Sequence, residues 1–204
     1  MSKTLHTICE EFFINTKLLS ARALKSLQPL MLLKEFSKNT VFIKAGQTNS
    51  KEYVIVQGFC RSFLQNQDGN EISFAFYKSG EVLPPHLIRT RKEKALYHFQ
   101  ALTELQVIEF DAAAFLNLMI EDLEIRNFGN EVLKNELLKK TTKEIALATL
   151  SAKERLEEFR KEYALLENLI PHPIIASYLG ITNVSLSRLR AERPSPLTGF
   201  DPRL

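Results

Sequence analysis

Near the C-terminal end of the sequence, the stretch IASYLGITNVSLSRLRAE (residues 175–192) sets one glycine between two runs of helical period. The second run carries Thr182, Asn183, Val184, Ser185, Ser187, Arg188 and Arg190. Each of these side-chain types can address a nucleic acid. An amide matches adenine, a guanidinium matches guanine, hydroxyls bond phosphates or base edges, and a valine packs on a thymine methyl. To deliver that chemistry the residues must project from one face of a helix that another helix holds. Pro171 and Pro173 are tolerated only at a helix beginning, so a first helix starts near His172, and Gly180 supplies the left-handed corner that ends it. Thr182 caps a second helix that runs to about Arg190 and is stopped by Pro194. Ile175, Leu179, Ile181, Leu186 and Leu189 supply the inner faces, and Ala176 permits close helix approach. Asn183, Val184, Ser187 and Arg188 are left facing out, with Arg190 at the margin. The pattern reads as a helix-turn-helix, and a generic helical hairpin would need fewer of these features.

Upstream, Gly46, Gly58, Gly69 and Gly80 punctuate the chain at intervals of 12, 11 and 11 residues. The segments between them are strand-like. YVIV (53–56) is β-branched and aromatic, and EISFAFY (71–77) alternates so that Ile72, Phe74 and Phe76 share one side. Asp68-Gly69 is a hairpin-turn signal, and TVFIKAG (40–46) and LQVIEF (105–110) add further strands. Residues 30–110 therefore read as an antiparallel β-roll. After Asp111 the pattern becomes helical, and between about 121 and 149 a long amphipathic helix is expected, with KKTTKE (139–144) polar all round. Phe128, Val132, Leu137 and Ile145 would stay partly wet on it, which favours a second copy of the chain against that stripe. The alternatives are packing on its own roll or bridging two domains. Ser151 with Glu154 forms a capping box that opens a further helix through Leu166.

Composition removes other classes. The chain has 204 residues, 45% of them hydrophobic, enough for one large or two small cores, and a net charge of +3 that alone decides little. No apolar run reaches membrane-spanning length, and MSKTLHTICEEFF has neither a basic start nor a cleavable apolar segment, so a cytoplasmic protein with no membrane partner is expected. Cys9 and Cys60 lack partner spacing and read as reduced structural thiols rather than disulfide or cluster ligands. His6, His86, His98 and His172 show no paired metal-ligand spacing, so no metal, no cofactor and no enzymatic activity are expected.

The order of parts, with AxxLGIT and LSRLR in residues 176–190, resembles the Crp/Fnr family of transcription regulators, in particular its short, Bacteroidetes-like members. The resemblance implies an α+β chain: a cyclic-nucleotide-binding-like sensor β-roll with an N-terminal helix (1–120), a dimerisation helix (121–150) and a helix-turn-helix domain (151–204). It implies a homodimer on double-stranded DNA, with RNA polymerase and an unidentified small-molecule effector as further partners. Asn183 and Val184 stand where the cyclic AMP receptor has an arginine and a glutamate, so a different operator is implied. The tail RPSPLTGFDPRL does not look like the β-hairpin wing of many relatives, which keeps open a protein of this fold that has lost DNA binding.

In members that bind cyclic nucleotides, a glycine and glutamate hold the ribose, and an arginine with a small hydroxyl residue grips the phosphate. Here Pro84-Pro85 and Ala95-Leu96 fall at those places, which removes amide donors, the carboxylate and the charge. No response to cyclic AMP is therefore expected. Arg89 and Arg91 either hold an anion from a remodelled loop or belong to a solvated charged loop. Thr141 and Thr142 lie near where the family places base-contacting hydroxyls. Haem ligation through His86, His98 or Cys60 would rest on isolated residues.

Overall fold

The computed structural model describes residues 4–14 and 18–191. Two short helices open it: α1 (Leu5–Cys9), continued by a π-helical turn (Glu10–Ile14), and α2 (Ala21–Leu27), whose first turn is capped by the Ser20 hydroxyl. They bring Phe12, Phe13, Leu24 and Leu27 against Val54, Ile108 and Phe110 on one outer side of the sheet structure.

That sheet structure is the expected roll. Its strands are β1 (Leu32–Phe36), β2 (Val41–Ile43), β3 (Lys51–Gln57), β4 (Phe59–Gln65) and β5 (Glu71–Lys78). After a single-turn helix, α3 (His86–Arg89), come β6 (Thr90–Arg91), β7 (Lys94–Ala95), β8 (His98–Ala101) and β9 (Leu105–Asp111). They pair as a three-stranded sheet β1-β9-β3, a four-stranded sheet β2-β8-β4-β5 and the hairpin β6-β7, all antiparallel. Ile43, Tyr53, Ile55, Cys60, Tyr77, Phe99 and Val107 fill the space enclosed. Gly58 makes the β3–β4 corner possible. Its φ is +96°, and a Cβ there would lie 2.3 Å from the Glu104 carbonyl oxygen.

The strict alternation expected of 71–77 does not hold. Ser62 pairs with Ala75 but Phe63 pairs with Ser73, so Phe74 is the extra residue of a β-bulge. The bulge exchanges faces: Ser73 before it and Phe76 after it both turn to the outer side, toward the C-terminal helices. Ile72 and Phe74 are 37% and 39% exposed, whereas Phe76 is fully buried.

The long helix forms over the expected span and is preceded by a separate short one. Asp111 caps α4 (Ala112–Glu121), and Asp122, in extended conformation, caps α5 (Leu123–Thr149) by accepting from the amides of Glu124 and Ile125. Phe128 is buried against Phe13 and Phe115, with ring centroids 5.7 and 6.2 Å away, and Val132 packs on the same core. These two residues therefore belong to the intramolecular face, not to a wet stripe. The large apolar residues that do face outward on α5 are Leu123, Leu137, Leu138 and Ile145, each more than half exposed, and Leu147 at 45%.

The remaining helices are α6 (Ala152–Glu162), α7 (Leu166–Leu169), α8 (His172–Leu179) and α9 (Asn183–Ala191). The capping box at Ser151 and Glu154 is formed in both directions, and the helix it opens ends at Glu162 rather than Leu166. Leu156, Phe159, Tyr163, Ile175, Leu179 and Leu186 make a core that also takes in Phe76 and Leu102 of the roll. The expectation about the tail after Glu192 lies outside the described residues. No helix among the described residues is long and apolar enough to cross a membrane.

Candidate functional site

The helix pair α8–α9 is built by local chemistry. Gly180 takes φ 67° and ψ 35°, its amide closes the end of α8, and the Ile181 amide returns to the Ala176 carbonyl at 3.0 Å. The Thr182 hydroxyl accepts from the Ser185 amide at 3.1 Å and shares a 3.0 Å hydrogen bond with the Ser185 hydroxyl. Leu186 is fully buried on α8, and Leu189 is partly buried beside it. Asn183, Val184, Ser187, Arg188 and Ala191 are all exposed. At 100° per residue these five share one side of α9.

Arg190 departs from the group. It is half-buried, its Nε donates to Glu167 Oε1 at 2.9 Å, and its Nη1 lies 3.0 Å from His172 Nδ1. Arg160 grips the same carboxylate at 2.7 Å, and the two guanidinium groups, Arg160 foremost, hold the Glu167 carboxyl below its usual range. Arg190 thus ties α9 to α7, whereas Arg188 has no ion pair among the described residues.

The expected effector residues are scattered. Arg91 is exposed on the β6–β7 hairpin, while Arg89 turns inward and is 1% exposed. The Pro85 carbonyl accepts from the Ile88 and Arg89 amides to start α3, and Ala95 is buried where Leu96 is 42% exposed. Glu52 is the charge nearest Arg89: Nη2 lies 3.8 Å from Oε2, beyond hydrogen-bond reach. Both Glu52 oxygens accept from the His86 amide, at 2.9 and 3.0 Å. Burial outweighs these partners and lifts the Glu52 carboxyl to about 6. Thr141 and Thr142 are exposed on α5; Thr142 lines a groove of about 710 Å³ between α5 and α6, whose wall does not include Arg89.

A third cluster escaped the sequence reading. Lys139 donates to the Phe76 carbonyl at 2.7 Å and to Glu81 at 3.1 Å, and Lys143 donates to the carbonyls of Ser73 and Phe74 at 3.3 and 2.5 Å. The bulge and the open edge of β5 supply these acceptors. On the outer face the Ser177 hydroxyl of α8 accepts from the Ser73 amide at 3.2 Å, and buried Arg61 donates to the Ser73 hydroxyl at 3.1 Å. KKTTKE is polar all round yet not wholly solvated, since Lys139 and Lys143, four residues apart, face the roll. That i, i+4 spacing was the available signal.

Residues 33–122 match the cyclic nucleotide-binding domain family model. Among solved structures, the chain is similar to a protein from Eubacterium rectale described as a transcriptional regulator of the Crp/Fnr family. The TM-score is 0.71 at 16% identity, over 88% of this chain and 86% of that one. It is also similar to the c-di-GMP responsive global regulator CLP of Xanthomonas campestris, with TM-score 0.65 at 16% identity over 83% and 89%. FixK2 of Bradyrhizobium japonicum gives 0.64 at 19% identity over 79% and 83%. Residues 33–122 resemble the cyclic nucleotide-binding domain, and the chain shares the fold of these regulators. No curated protein matches the chain. The segment holding Pro84, Pro85, Arg89 and Ala95 lies within the matched residues. The helices α6 to α9 lie outside the matched residues and share only the fold of these regulators.

Proposed function

We propose that this protein is a DNA-binding transcription regulator that acts as a homodimer, with α9 in the major groove of a two-fold symmetric operator. The observation that carries the reading is the exposed side of α9, where Asn183, Val184, Ser187 and Arg188 stand together on a helix fixed by Gly180, Thr182 and Leu186. That side combines a guanidinium, an amide, a hydroxyl and an apolar contact, the set that major-groove readout uses. Two copies joined along the outward residues of α5 would set the recognition helices about one helical turn, roughly 34 Å, apart. Cyclic AMP is not the effector in this reading, because the chain offers prolines, alanine and leucine where the phosphate and ribose would be held.

The test is a mobility-shift selection from random duplexes with the full chain. Enrichment of a palindromic site is the expected result. A pool that is never enriched would favour a ligand-binding or scaffold protein of this fold without DNA affinity.

A further inference from the structure

Arg89 is the most anomalous group in the molecule. Its side chain is 1% exposed, yet Nε, Nη1 and Nη2 all lack a hydrogen-bond partner among the described residues. Buried guanidinium donors left unpaired are costly, and folded proteins avoid them unless something else meets the group. Tyr97 shares the condition: its hydroxyl is buried and unpaired, and it is electrostatically coupled to Arg89. Both residues belong to the segment whose cassette-like positions have become Pro84, Pro85 and Ala95.

We propose that Arg89 and the Tyr97 hydroxyl form a site for a small oxyanion, the carboxylate or phosphate group of a metabolite-sized ligand, inside the roll. A guanidinium offers parallel N–H groups in a planar fork that fits two oxygens of one oxyanion, and the phenol adds a third donor. Glu52 does not fill this role. At 3.8 Å it balances charge without a hydrogen bond, and the His86 amide holds both its oxygens at that remove. The guanidinium carbon lies 5.3 Å from the centroid of the Tyr53 ring, which holds the fork in place without using its donors. Entry is through the cover of the site, a four-residue helix and a hairpin of two-residue strands with Leu87 and Leu96 exposed on it. Opening of so short a cover is a local event, one that breaks the backbone bonds joining Ala95 to Gly46 and Gln47 and Asn49 to Glu93.

The site deepens the regulator reading by naming the chemistry of its effector, but its test contains no DNA, so it can fail while that reading stands. The full chain is titrated with inorganic phosphate and, separately, with succinate, followed by thermal shift and calorimetry against sodium chloride at matched ionic strength. At least one of the two should raise the melting temperature saturably, and which one does so distinguishes a phosphate ligand from a carboxylate. Arg89→Met should abolish the response, and Tyr97→Phe, which keeps the ring, should weaken it on the order of tenfold. Where Arg89→Met does not fold, Tyr97→Phe decides in its place, and an affinity equal to the parent's overturns the proposal. It is also overturned if neither anion acts beyond chloride, or if Arg89→Met responds as the parent does.

Discussion

The Lys143 ammonium lies 3.8 Å from the centroid of the Tyr178 ring, so the long helix and the first helix of the α8–α9 pair meet through a cation on an aromatic face. The same ammonium bonds two carbonyls of β5, and α5, the roll and α8 converge on it.

Lys143 makes stability depend on pH in a window that can be named. Burial, and secondarily Lys140, lowers its pKa from 10.5 to about 7. Between these values the unfolded chain binds more protons, so this residue's contribution grows as pH rises from 7 to 10.5 and is lost as pH falls through 7. Lys143→Met should flatten that rise. Melting curves of parent and variant that stay parallel from pH 6.5 to 10 would exclude it.

Arg188 and Arg190 should separate cleanly. Arg188→Ala is expected to cost about 1–3 kcal/mol at one operator position and to relax preference there. Arg190→Ala should leave the selected consensus intact and lower stability by about 1 kcal/mol or less, through the Glu167 pair. Selection experiments on both variants read this directly, and an unchanged consensus for Arg188→Ala sinks the assignment.

Self-association should fail when Leu137 and Ile145 are both replaced by aspartate, and DNA binding should weaken with it, since a single half-site offers half the contacts. Val132→Asp is the contrasting variant. It lies on the Phe13–Phe128 core, so it should destabilise the fold by several kcal/mol without reporting on the interface. Sedimentation at micromolar concentration measures both, and a monomeric parent would refute the dimer.

Cyclic AMP and cyclic GMP should give no saturable binding at millimolar concentration in calorimetry. Micromolar binding of either would mean that Ala95 and Pro84-Pro85 do not occupy the phosphate and ribose positions.

What could be read in advance was local. Gly180, Thr182, Ser151 with Glu154 and Asp68-Gly69 act through residues two to five positions away, and each formed the turn or cap its neighbours demanded. The orientations of Phe74, Arg89 and Arg190 were not legible, because each depends on partners far along the chain. The register of β4 lifts Phe74 out of alternation, and Arg190 is turned aside by Glu167, 23 residues earlier. Arg89 was open between loop and anion because nothing nearby in sequence reveals that α3 turns it into the roll. The start of α5 was legible to within two residues, where Asp122 caps it.

Phe76 sits fully buried among Phe159, Tyr163 and Tyr178, so the three C-terminal aromatics pack on a side chain supplied by the roll. The consequence is that the C-terminal third is not a transplantable module. Expressed alone from Ser151, it would present a greasy socket to water, and grafted onto another sensor it would need a phenylalanine offered from the same bulge. Heating should melt the roll and the C-terminal helices in a single calorimetric peak.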